Sequence, residues 1–282
     1  MNEKDQRNNF IEDLLVILVI HKMKIDESPA YKSISQALPL QSLPVSLFIY
    51  DNSPNPQLYS STKNWDIDYT HDITNPGVSK AYNLGATFAK AESKKWLLLC
   101  DQDTEFPLDI FSKFQTASDD NPNVEIFAPS MRDREGIVSP FLFRQNRGIR
   151  LKKIEPGIHS LKNFKVINSG LLVSCSLFQR AGGYDERFRL DFSDLAFIER
   201  VIPYCDRFLL IDSVAKHNLN SHDSVDLALE RFRVYIRSAF LYPNIAGKNF
   251  LPLINAFLRA VKFSLKFRST KFIFVLIKEV VK

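Results

Sequence analysis

The chain has 282 residues, of which 45% are hydrophobic and 24% are charged, and its formal net charge is +5. This composition is that of a globular protein, and the length suits one large α/β domain with or without a small appendage. Three cysteines at positions 100, 175 and 205 have no metal-ligand spacing, so we expect buried, reduced thiols in a cytosolic protein.

Apolar runs alternate with helical patterns in the first half of the chain. Residues 14–20 predict a buried strand, since seven apolar residues are too few to span a membrane. Ser28 and Pro29 are typical of a helix start, with Ser28 as the N-cap. Further strands are predicted at 45–50, 67–70 and 96–100, and a helix at 78–90. This alternation predicts an α/β fold with a mainly parallel central sheet flanked by helices.

The second half of the chain has a less regular pattern. Two helices are expected near its end and form a C-terminal helical extension. The other predicted elements are a strand at 166–174, a turn at 181–184, a helix at 195–202, a strand at 208–211, and the two late helices at 225–242 and 251–267.

Two aspartates directly follow the predicted strand at 96–100. Asp101 and Asp103 are two residues apart, so in an extended backbone their carboxylates point the same way. Ligands of parallel sheets bind at the carboxyl ends of strands, and Mg²⁺ or Mn²⁺ prefers oxygen ligands. The pair therefore predicts a site for a divalent cation, and a cation bound there could bridge the two phosphates of a nucleotide. The alternative is that both residues only form a turn before Pro107.

Six stretches carry the remaining motifs, and their order matters more than any one of them. They are IYDNSPNP (49–56), NPGVSKAYNLGATFA (75–89), WLLLCDQDTEFP (96–107), NSGLLVS (168–174), AGGYDERFRLDFSDLAFIERV (181–201) and KHNL (216–219). Together they resemble family 2 glycosyltransferases with the Rossmann-like, A-type nucleotide-sugar-binding fold, and most of all the bacterial rhamnosyltransferase-like branch. The resemblance covers most of residues 12 to 240.

The resemblance implies a set of donor-binding residues. Asp51 would hydrogen-bond the nucleobase, and four residues would line the wall beside the nucleotide: Asn75, Gly77, Lys80 and Asn83. The first strand departs from the family, because it ends in His21 and Lys22 where the family often has Thr-Tyr-Asn. His21 could stack on the base there. Other interpretations stay open, since Asp51 suits a turn, Gly77 supplies backbone freedom, and Asn83 in mid-helix suits packing as well as ligand binding.

The resemblance also implies a metal site and a catalytic base. Asp103 would ligate the cation, Asp101 would contact the ribose or the metal, and His217 would reach the metal or the diphosphate. Asp194 would be the general base, although it could also be a helix N-cap. The acids that the family often carries beside the base are replaced here by serine and alanine, which leaves Asp191 as a rival base.

The implied activity is an inverting, metal-dependent hexosyl transfer. The donor would be a UDP- or dTDP-linked sugar such as rhamnose, the cofactor Mg²⁺ or Mn²⁺, and the acceptor a glycan or lipid-linked oligosaccharide in cell-surface polysaccharide synthesis. Residues 1–243 would form the catalytic domain, divided into a nucleotide-sugar-binding half at 12–107 and an acceptor-binding half at 108–243. Residues 244–282 would form a basic amphipathic tail on a cytoplasmic enzyme.

The tail allows two interpretations. From residue 246 to 282 the chain has eight basic residues and a single acid, Glu279, with apolar residues between them. A basic amphipathic helix suits an anionic membrane surface, which would place the enzyme at the inner face of the cell membrane. The same pattern suits a helix that packs on the catalytic domain. Nucleic acid is not expected as a partner, because no recognised binding motif is present.

Two other function classes compete with a glycosyltransferase. The LLLCDQDTE stretch is similar to the strand and DxDxT pattern of haloacid dehalogenase-like phosphohydrolases, but about a hundred residues precede it here and in that family the motif opens the fold. The second alternative is a non-catalytic nucleotide- or glycan-binding module on the same fold, which the altered surroundings of Asp194 leave open.

Overall fold

The structure, a computed structural model, describes residues 10–38, 44–59, 64–144, 147–217, 224–246 and 251–281. The strands are β1 (Leu14–Ile20), β2 (Val45–Asp51), β3 (Trp65–His71), β4 (Trp96–Asp101), β5 (Thr104–Glu105), β6 (Ile126–Asp133), β7 (Gly136–Ser139), β8 (Phe141–Arg144), β9 (Arg147–Ile149), β10 (Gly157–Ser160), β11 (Phe164–Lys165), β12 (Leu171–Ser174) and β13 (Arg207–His217). The helices are α1 (Pro29–Ala37), α2 (Val78–Ala91), α3 (Ile110–Asp120), α4 (Cys175–Arg180), α5 (Ser193–Val201), α6 (Val225–Ala246), α7 (Leu251–Lys266) and α8 (Lys271–Val280).

The large sheet has the strand order β10-β13-β6-β12-β4-β1-β2-β3. β1 pairs in parallel with β2 and with β4, β2 pairs in parallel with β3, and β6 pairs in parallel with β13. β12 runs antiparallel between β4 and β6. The prediction of a mainly parallel sheet is therefore confirmed. A second, smaller sheet consists of β8, β9 and β11.

β1 shows why the sheet lies between two helical layers. All seven of its residues are buried, and alternate side chains enter two different hydrophobic cores. Ile17 and its neighbours on one face pack in the same core as Tyr82 of α2. Leu18 and its neighbours on the other face share a core with Ile34 of α1 and Ile110 of α3. A strand with both faces covered needs apolar residues at every position, which is why its sequence does not alternate.

Several elements differ from the prediction. The strand expected at 166–174 begins only at Leu171, because a turn precedes it: Gly170 has φ 79°, and the amide of Leu171 donates to the carbonyl of Asn168 over 3.1 Å. The strand expected at 208–211 is eleven residues long, since β13 pairs with β6 along its length. The strands β5 to β11 and the helices α3, α4 and α8 were not predicted, and most of these strands are only two to four residues long.

The C-terminal helices form a unit with its own core. Phe232 of α6 packs with Ala256 and Ala260 of α7 and with Phe272 of α8. The predicted domain boundary at residue 243 falls inside α6, and the boundary itself stays a prediction. Residues 247–250 and 282 of the predicted tail lie outside the described residues. Among the helices that the structure describes, none is both long enough and apolar enough to cross a membrane.

Candidate active site

The acidic pair lies at the carboxyl end of β4, near the middle of the sheet. The backbone amide of Asp101 donates to Oγ of Ser169 over 2.9 Å, and the hydroxyl of Tyr82 donates to Oδ1 of Asp101 over 2.7 Å. Tyr82 is fully buried, and burial followed by the charge of Asp101 raises its pKa well above the ordinary value. Tyr82 is therefore a neutral donor, and it holds the Asp101 carboxylate toward α2.

Asp103 faces His217 across a strand pairing. β5 pairs with the end of β13, so that Thr104 lies opposite His217. Oδ1 of Asp103 is 3.6 Å from Nδ1 of His217, which is also 3.0 Å from Oγ1 of Thr104. Burial raises the pKa of Asp103, His217 opposes this shift, and Asp101 adds to it. The KHNL stretch is described only as far as His217.

The predicted metal ligands lie near one another but are not assembled into a cation site. Within the described ranges, no group of three His, Cys, Asp or Glu side chains is close enough to hold a metal ion. Asp103 and His217 are in contact, whereas Asp101 is engaged by Tyr82. The donor set nevertheless suits a divalent cation, because a cation would favour the charged form of the half-buried Asp103 carboxylate, whose pKa desolvation raises.

Asp194, the predicted base, lies in the first turn of α5. Its Oδ1 accepts the amide of Leu195 over 2.8 Å. Phe192, with φ 67°, is the N-cap of this helix, so the N-cap interpretation of Asp194 is wrong. Burial raises the pKa of Asp194 to about 7, and the charges of Asp191 and Asp101 contribute to the shift. A general base works best with a pKa near the working pH, so this environment suits the predicted role.

Asp191, the rival base, is held by a residue that the sequence patterns did not indicate. Its Oδ2 lies 3.5 Å from Nε of Arg231 on α6. The same oxygen is buried and has no hydrogen-bond partner among the described residues. Arg231 therefore ties the loop before α5 to the C-terminal helices.

The ends of β1, β2 and β4 meet at one edge of the sheet, as parallel strands do. The amide of His21 donates to Oε1 of Gln102, and Nδ1 of His21 lies 3.0 Å from the carbonyl oxygen of Asn52. Nε2 of Gln102 in turn donates to the carbonyl of His21. Gln102, the middle residue of the acidic motif, thus fixes His21 beside the motif.

The carboxylate of Asp51 is fully engaged inside the protein. Oδ1 accepts the amide of Ser53 over 2.8 Å. Oδ2 accepts the hydroxyl of Tyr69 over 2.8 Å and Nε2 of Gln57 over 2.9 Å. In this arrangement Asp51 shapes the turn after β2, as the alternative interpretation held. Binding of a nucleobase by Asp51 stays a prediction, and it requires exchange of at least one of these bonds.

The four residues predicted beside the nucleotide contact the loop that leads into α5. Asn75 accepts a hydrogen bond from Arg189 through its carbonyl, and Lys80 forms an exposed ion pair of 3.5 Å with Glu186. Gly77 has φ 100°, and a Cβ there would overlap the carbonyl oxygen of Arg189, so this close approach requires glycine.

Asn83 fixes the same loop through both ends of its side-chain amide. Its Oδ1 accepts the amide of Tyr184 over 2.8 Å, and its Nδ2 donates to the carbonyl of Tyr184 over 2.9 Å. These contacts agree with the packing role that was one of the two interpretations of Asn83.

A hydrogen-bonded chain connects this loop to α5. The hydroxyl of Tyr184 donates to Oδ1 of Asn168 over 2.8 Å, and Nδ2 of Asn168 donates to Oγ of Ser193 over 3.0 Å. The ring of Tyr184 stacks on Phe197 with centroids 4.2 Å apart. It also lies 5.2 Å from the ring of Tyr82, the partner of Asp101. The NSG triplet at 168–170 was the sequence signal for this connection, although its pattern alone implied no role.

Comparison with known proteins agrees with this architecture. No protein-family model matches the chain. The dTDP-rhamnosyl transferase RfbF of Shigella flexneri is 26% identical over 213 residues, which cover 71% of this chain and 70% of RfbF.

Solved structures with similar folds include TarS of S. aureus and GalNAc-T7. TarS has a TM-score of 0.54 and 13% identity, and the match covers 82% of this chain and 40% of TarS. GalNAc-T7, solved with UDP, GalNAc and Mn²⁺, has a TM-score of 0.54 and 14% identity, and the match covers 95% of this chain and 56% of GalNAc-T7. The chain thus spans about half the length of these structural neighbours or less.

The sequence comparison and the structural comparison both find glycosyltransferases. At 12% to 14% identity the solved structures show the fold, which is that of the A-type glycosyltransferases. The sequence relative is a rhamnosyl transferase, in agreement with the branch that the motifs resembled. The chain therefore has the fold of the A-type glycosyltransferases and is similar in sequence to a bacterial rhamnosyltransferase.

Proposed function

We propose that the chain transfers a sugar, with inversion, from a nucleotide diphosphate to a hydroxyl group of a glycan or lipid-linked acceptor in cell-surface polysaccharide synthesis. One observation carries the proposal. Asp194 is half-buried, desolvation raises its pKa to about 7, and the charge of Asp101 at the end of β4 contributes to that shift. A poised base and the acidic end of the donor-binding half therefore lie within electrostatic range of each other.

Asp194 would accept the proton of the attacking hydroxyl. General base catalysis of this kind contributes on the order of 10²–10⁴ in rate. Asp191 is the rival, but its carboxylate lies in an ion pair with Arg231, while Asp194 has no ion-pair partner among the described residues. The chain from Tyr184 through Asn168 to Ser193 would keep α5, and with it Asp194, in a fixed position.

The proposed cofactor is Mg²⁺ or Mn²⁺. Asp103 and His217 would hold it, with Asp101 as the third ligand or as the contact to the ribose. When bound, the cation would offset the negative charge that grows on the departing diphosphate. The contact between the half-buried Asp103 carboxylate and His217, and the Mn²⁺ in the structure of GalNAc-T7, support this proposal.

The proposed donor is a dTDP- or UDP-linked sugar, with rhamnose as the first candidate. RfbF is named for dTDP-rhamnose, and a TarS structure contains UDP-GlcNAc, which supports both nucleotides. The nucleotide would lie at the sheet edge formed by the ends of β1, β2 and β4. The proposed donor-binding residues are His21, Asp51, Asn75, Gly77, Lys80, Asn83 and Asp101.

We further propose a cytoplasmic enzyme that touches the inner face of the membrane through residues 246–282. α7 exposes Ile254, Phe257 and Leu265 at helical spacing, and α8 exposes Phe274 and Ile277. Exposed lysines at positions 266 and 278 accompany these apolar side chains. Apolar and basic residues on one helical surface favour anionic lipid.

A donor panel with one variant tests the central proposal. Melting temperatures are measured with UDP-, GDP- and dTDP-sugars, each with and without Mn²⁺, because at equal concentration a ligand that binds more tightly stabilises the folded state more. Asp194→Asn should retain donor-induced stabilisation and lose transfer, while the exposed Asp212→Asn should retain both. Unchanged turnover in Asp194→Asn would disprove the assignment of the base. Steady phosphate release from sugar phosphates without any acceptor would favour a phosphohydrolase.

A further inference from the structure

A cavity of about 720 Å³ lies beside the predicted base, between the small sheet and the C-terminal helices. Its volume is in the range of sites that bind small molecules. The residues that decide its chemistry are Arg147, Asp191, Phe192, Tyr235, Arg259 and Lys262. They come from β9, from the loop before α5, and from α6 and α7, so the cavity exists only in the folded arrangement of these elements.

The cavity wall carries an excess of positive charge. Three cationic side chains, Arg147, Arg259 and Lys262, face one carboxylate, that of Asp191. Asp191 is paired with Arg231, which does not line the cavity. Among the described residues, none of the three cations has a carboxylate within 4.0 Å. The cavity can therefore accept an anion without breaking an ion pair.

Two of the cations are held in place by neutral groups. Nε of Arg147 donates to Oδ1 of Asn255 over 2.5 Å. The guanidinium carbon of Arg259 lies 4.1 Å from the centroid of the Tyr235 ring. Such contacts fix a guanidinium group without neutralising it, and a fixed guanidinium binds phosphate oxygens well because its donors form a rigid fork.

The wall of the cavity includes Asp191, one of the two candidate bases, and none of the proposed donor-binding residues. Asp191 is part of its wall, and the charges of both Asp191 and Asp101 raise the pKa of Asp194. Asp194 is thus within electrostatic range of the cavity wall and of the donor edge. An acceptor in the cavity would contact Asp191 and would lie next to Leu195, the residue that follows Asp194 in α5.

We propose that this cavity binds the acceptor and that the acceptor carries a phosphate ester, which Arg147, Arg259 and Lys262 bind. The rings of Phe192 and Tyr235 would contact the apolar face of the acceptor sugar. This inference rests on the proposed function, since it assigns the acceptor class of the same enzyme. The phosphate belongs either to a lipid carrier or to the glycan itself, and both sources present the same chemistry to the cavity.

The test measures binding of acceptor probes to the full chain with the donor site filled by saturating dTDP or UDP. The probes are an octyl hexosyl phosphate, the corresponding hexose 1-phosphate, the methyl hexoside and the methyl hexuronide, each titrated by calorimetry or ligand-observed NMR. We expect the phosphate probes to bind about tenfold more tightly than the methyl hexoside, as charge-assisted bonds imply. Tighter binding of the octyl probe would identify a lipid carrier, and equal binding of both phosphate probes a phosphorylated glycan.

A matched pair of double variants locates the binding. Arg147→Gln with Lys262→Gln removes two exposed cations from the cavity, and Lys32→Gln with Lys90→Gln removes two exposed cations elsewhere. The first variant should lose about tenfold in affinity for the phosphate probes, and the second should bind like the wild type. Equal affinities in the two variants, or a hexuronide that binds as well as the phosphates, would overturn the proposal.

Failure of this inference is distinguishable from failure of the proposed function. The Kd for dTDP and UDP is measured in the same variants, and we expect it to stay unchanged because the cavity is separate from the donor edge. If the wild type binds nucleotide while probe affinity does not respond to the cavity variant, the acceptor assignment alone is wrong. If the wild type binds no nucleotide with or without Mn²⁺, the proposed function is wrong.

Discussion

The hydroxyl of Tyr82 donates a hydrogen bond of 2.7 Å to Oδ1 of Asp101, and so joins the helix after β3 to the acidic end of β4. Tyr82→Phe removes this donor and leaves the ring in place. We expect the free energy of unfolding to fall by about 1–3 kcal/mol, as for a lost bond to a charged group. Urea unfolding measures the change. Tyr204→Phe, at an exposed tyrosine, is the control, and an equal effect of the two changes would contradict the argument.

The half-buried Asp194 predicts a conflict between stability and activity. Its folded pKa of about 7 lies above the value of 3.8 expected for an unfolded chain, so its ionisation opposes folding. This group therefore makes the fold less stable as the pH rises from about 4 to 7, and the penalty persists above pH 7. Asp194→Asn should lose transfer yet melt a few degrees higher than the wild type at pH 8. A lower melting temperature at pH 8 would contradict the burial of a charged carboxylate.

The same pKa predicts the pH dependence of transfer. A base must be deprotonated to act, so kcat/KM should rise with pH and level off above an apparent pKa near 7. The profile is measured for the wild type and for Asp191→Asn. In Asp191→Asn the increase in kcat/KM should occur at a lower pH than in the wild type, because the charge of Asp191 helps to raise the pKa of Asp194. A profile that is flat between pH 5 and 9 would exclude Asp194 as the base.

We expect Gly77→Ala to lower the stability of the fold strongly, although it adds only one methyl group. In Gly77→Ala, at φ 100°, the new Cβ would collide with the backbone oxygen of Arg189. Gly136→Ala is a matched control, since Gly136 has φ 125° and a Cβ added there would meet no atom within 4 Å. Both changes incur backbone strain of about 1–3 kcal/mol, and only the first adds a steric clash. Thermal unfolding should therefore show a clearly larger loss for Gly77→Ala.

The contact between Asp103 and His217 predicts where a cation acts. Asp103→Asn and His217→Asn should each remove most of the extra stabilisation that Mn²⁺ gives to the nucleotide-bound protein. Stabilisation by nucleotide alone should be smaller and less affected. Melting temperatures with nucleotide, with and without Mn²⁺, measure this difference. Glu105→Gln, at an exposed acid two residues after Asp103, should behave like the wild type. An unchanged Mn²⁺ effect in Asp103→Asn would refute the metal proposal.

Much of the donor-binding half could be predicted from the sequence, because its signals are local. β1 and β4 are unbroken apolar runs, and Ser28 caps α1 by accepting the amide of Tyr31, as its position before Pro29 indicated. Parallel strands place their carboxyl ends at one edge, so the proximity of His21 to the acidic motif followed from the topology.

The contacts within the site were harder to predict from the sequence, because they join residues that are far apart in the chain. Thr104 meets His217 only because β5 pairs with the end of β13, and that strand was predicted at less than half its length. The resemblance implied that Asp51 binds the nucleobase. Nothing in the sequence shows that Tyr69 and Gln57 donate hydrogen bonds to its carboxylate. The cavity was not foreseen at all, because its walls come from elements that are distant in sequence.

The ion pair between Arg231 and Asp191 affects what happens when the C-terminal helices are removed or exchanged with those of a related enzyme. A detachable membrane anchor could be exchanged between enzymes without altering what they recognise. Here the C-terminal helices supply Arg231, Tyr235, Arg259 and Lys262 to the neighbourhood of the base. Grafting these helices onto a related catalytic half should therefore transplant part of the acceptor preference, and a chain that stops before α7 should keep its nucleotide while losing its choice of acceptor.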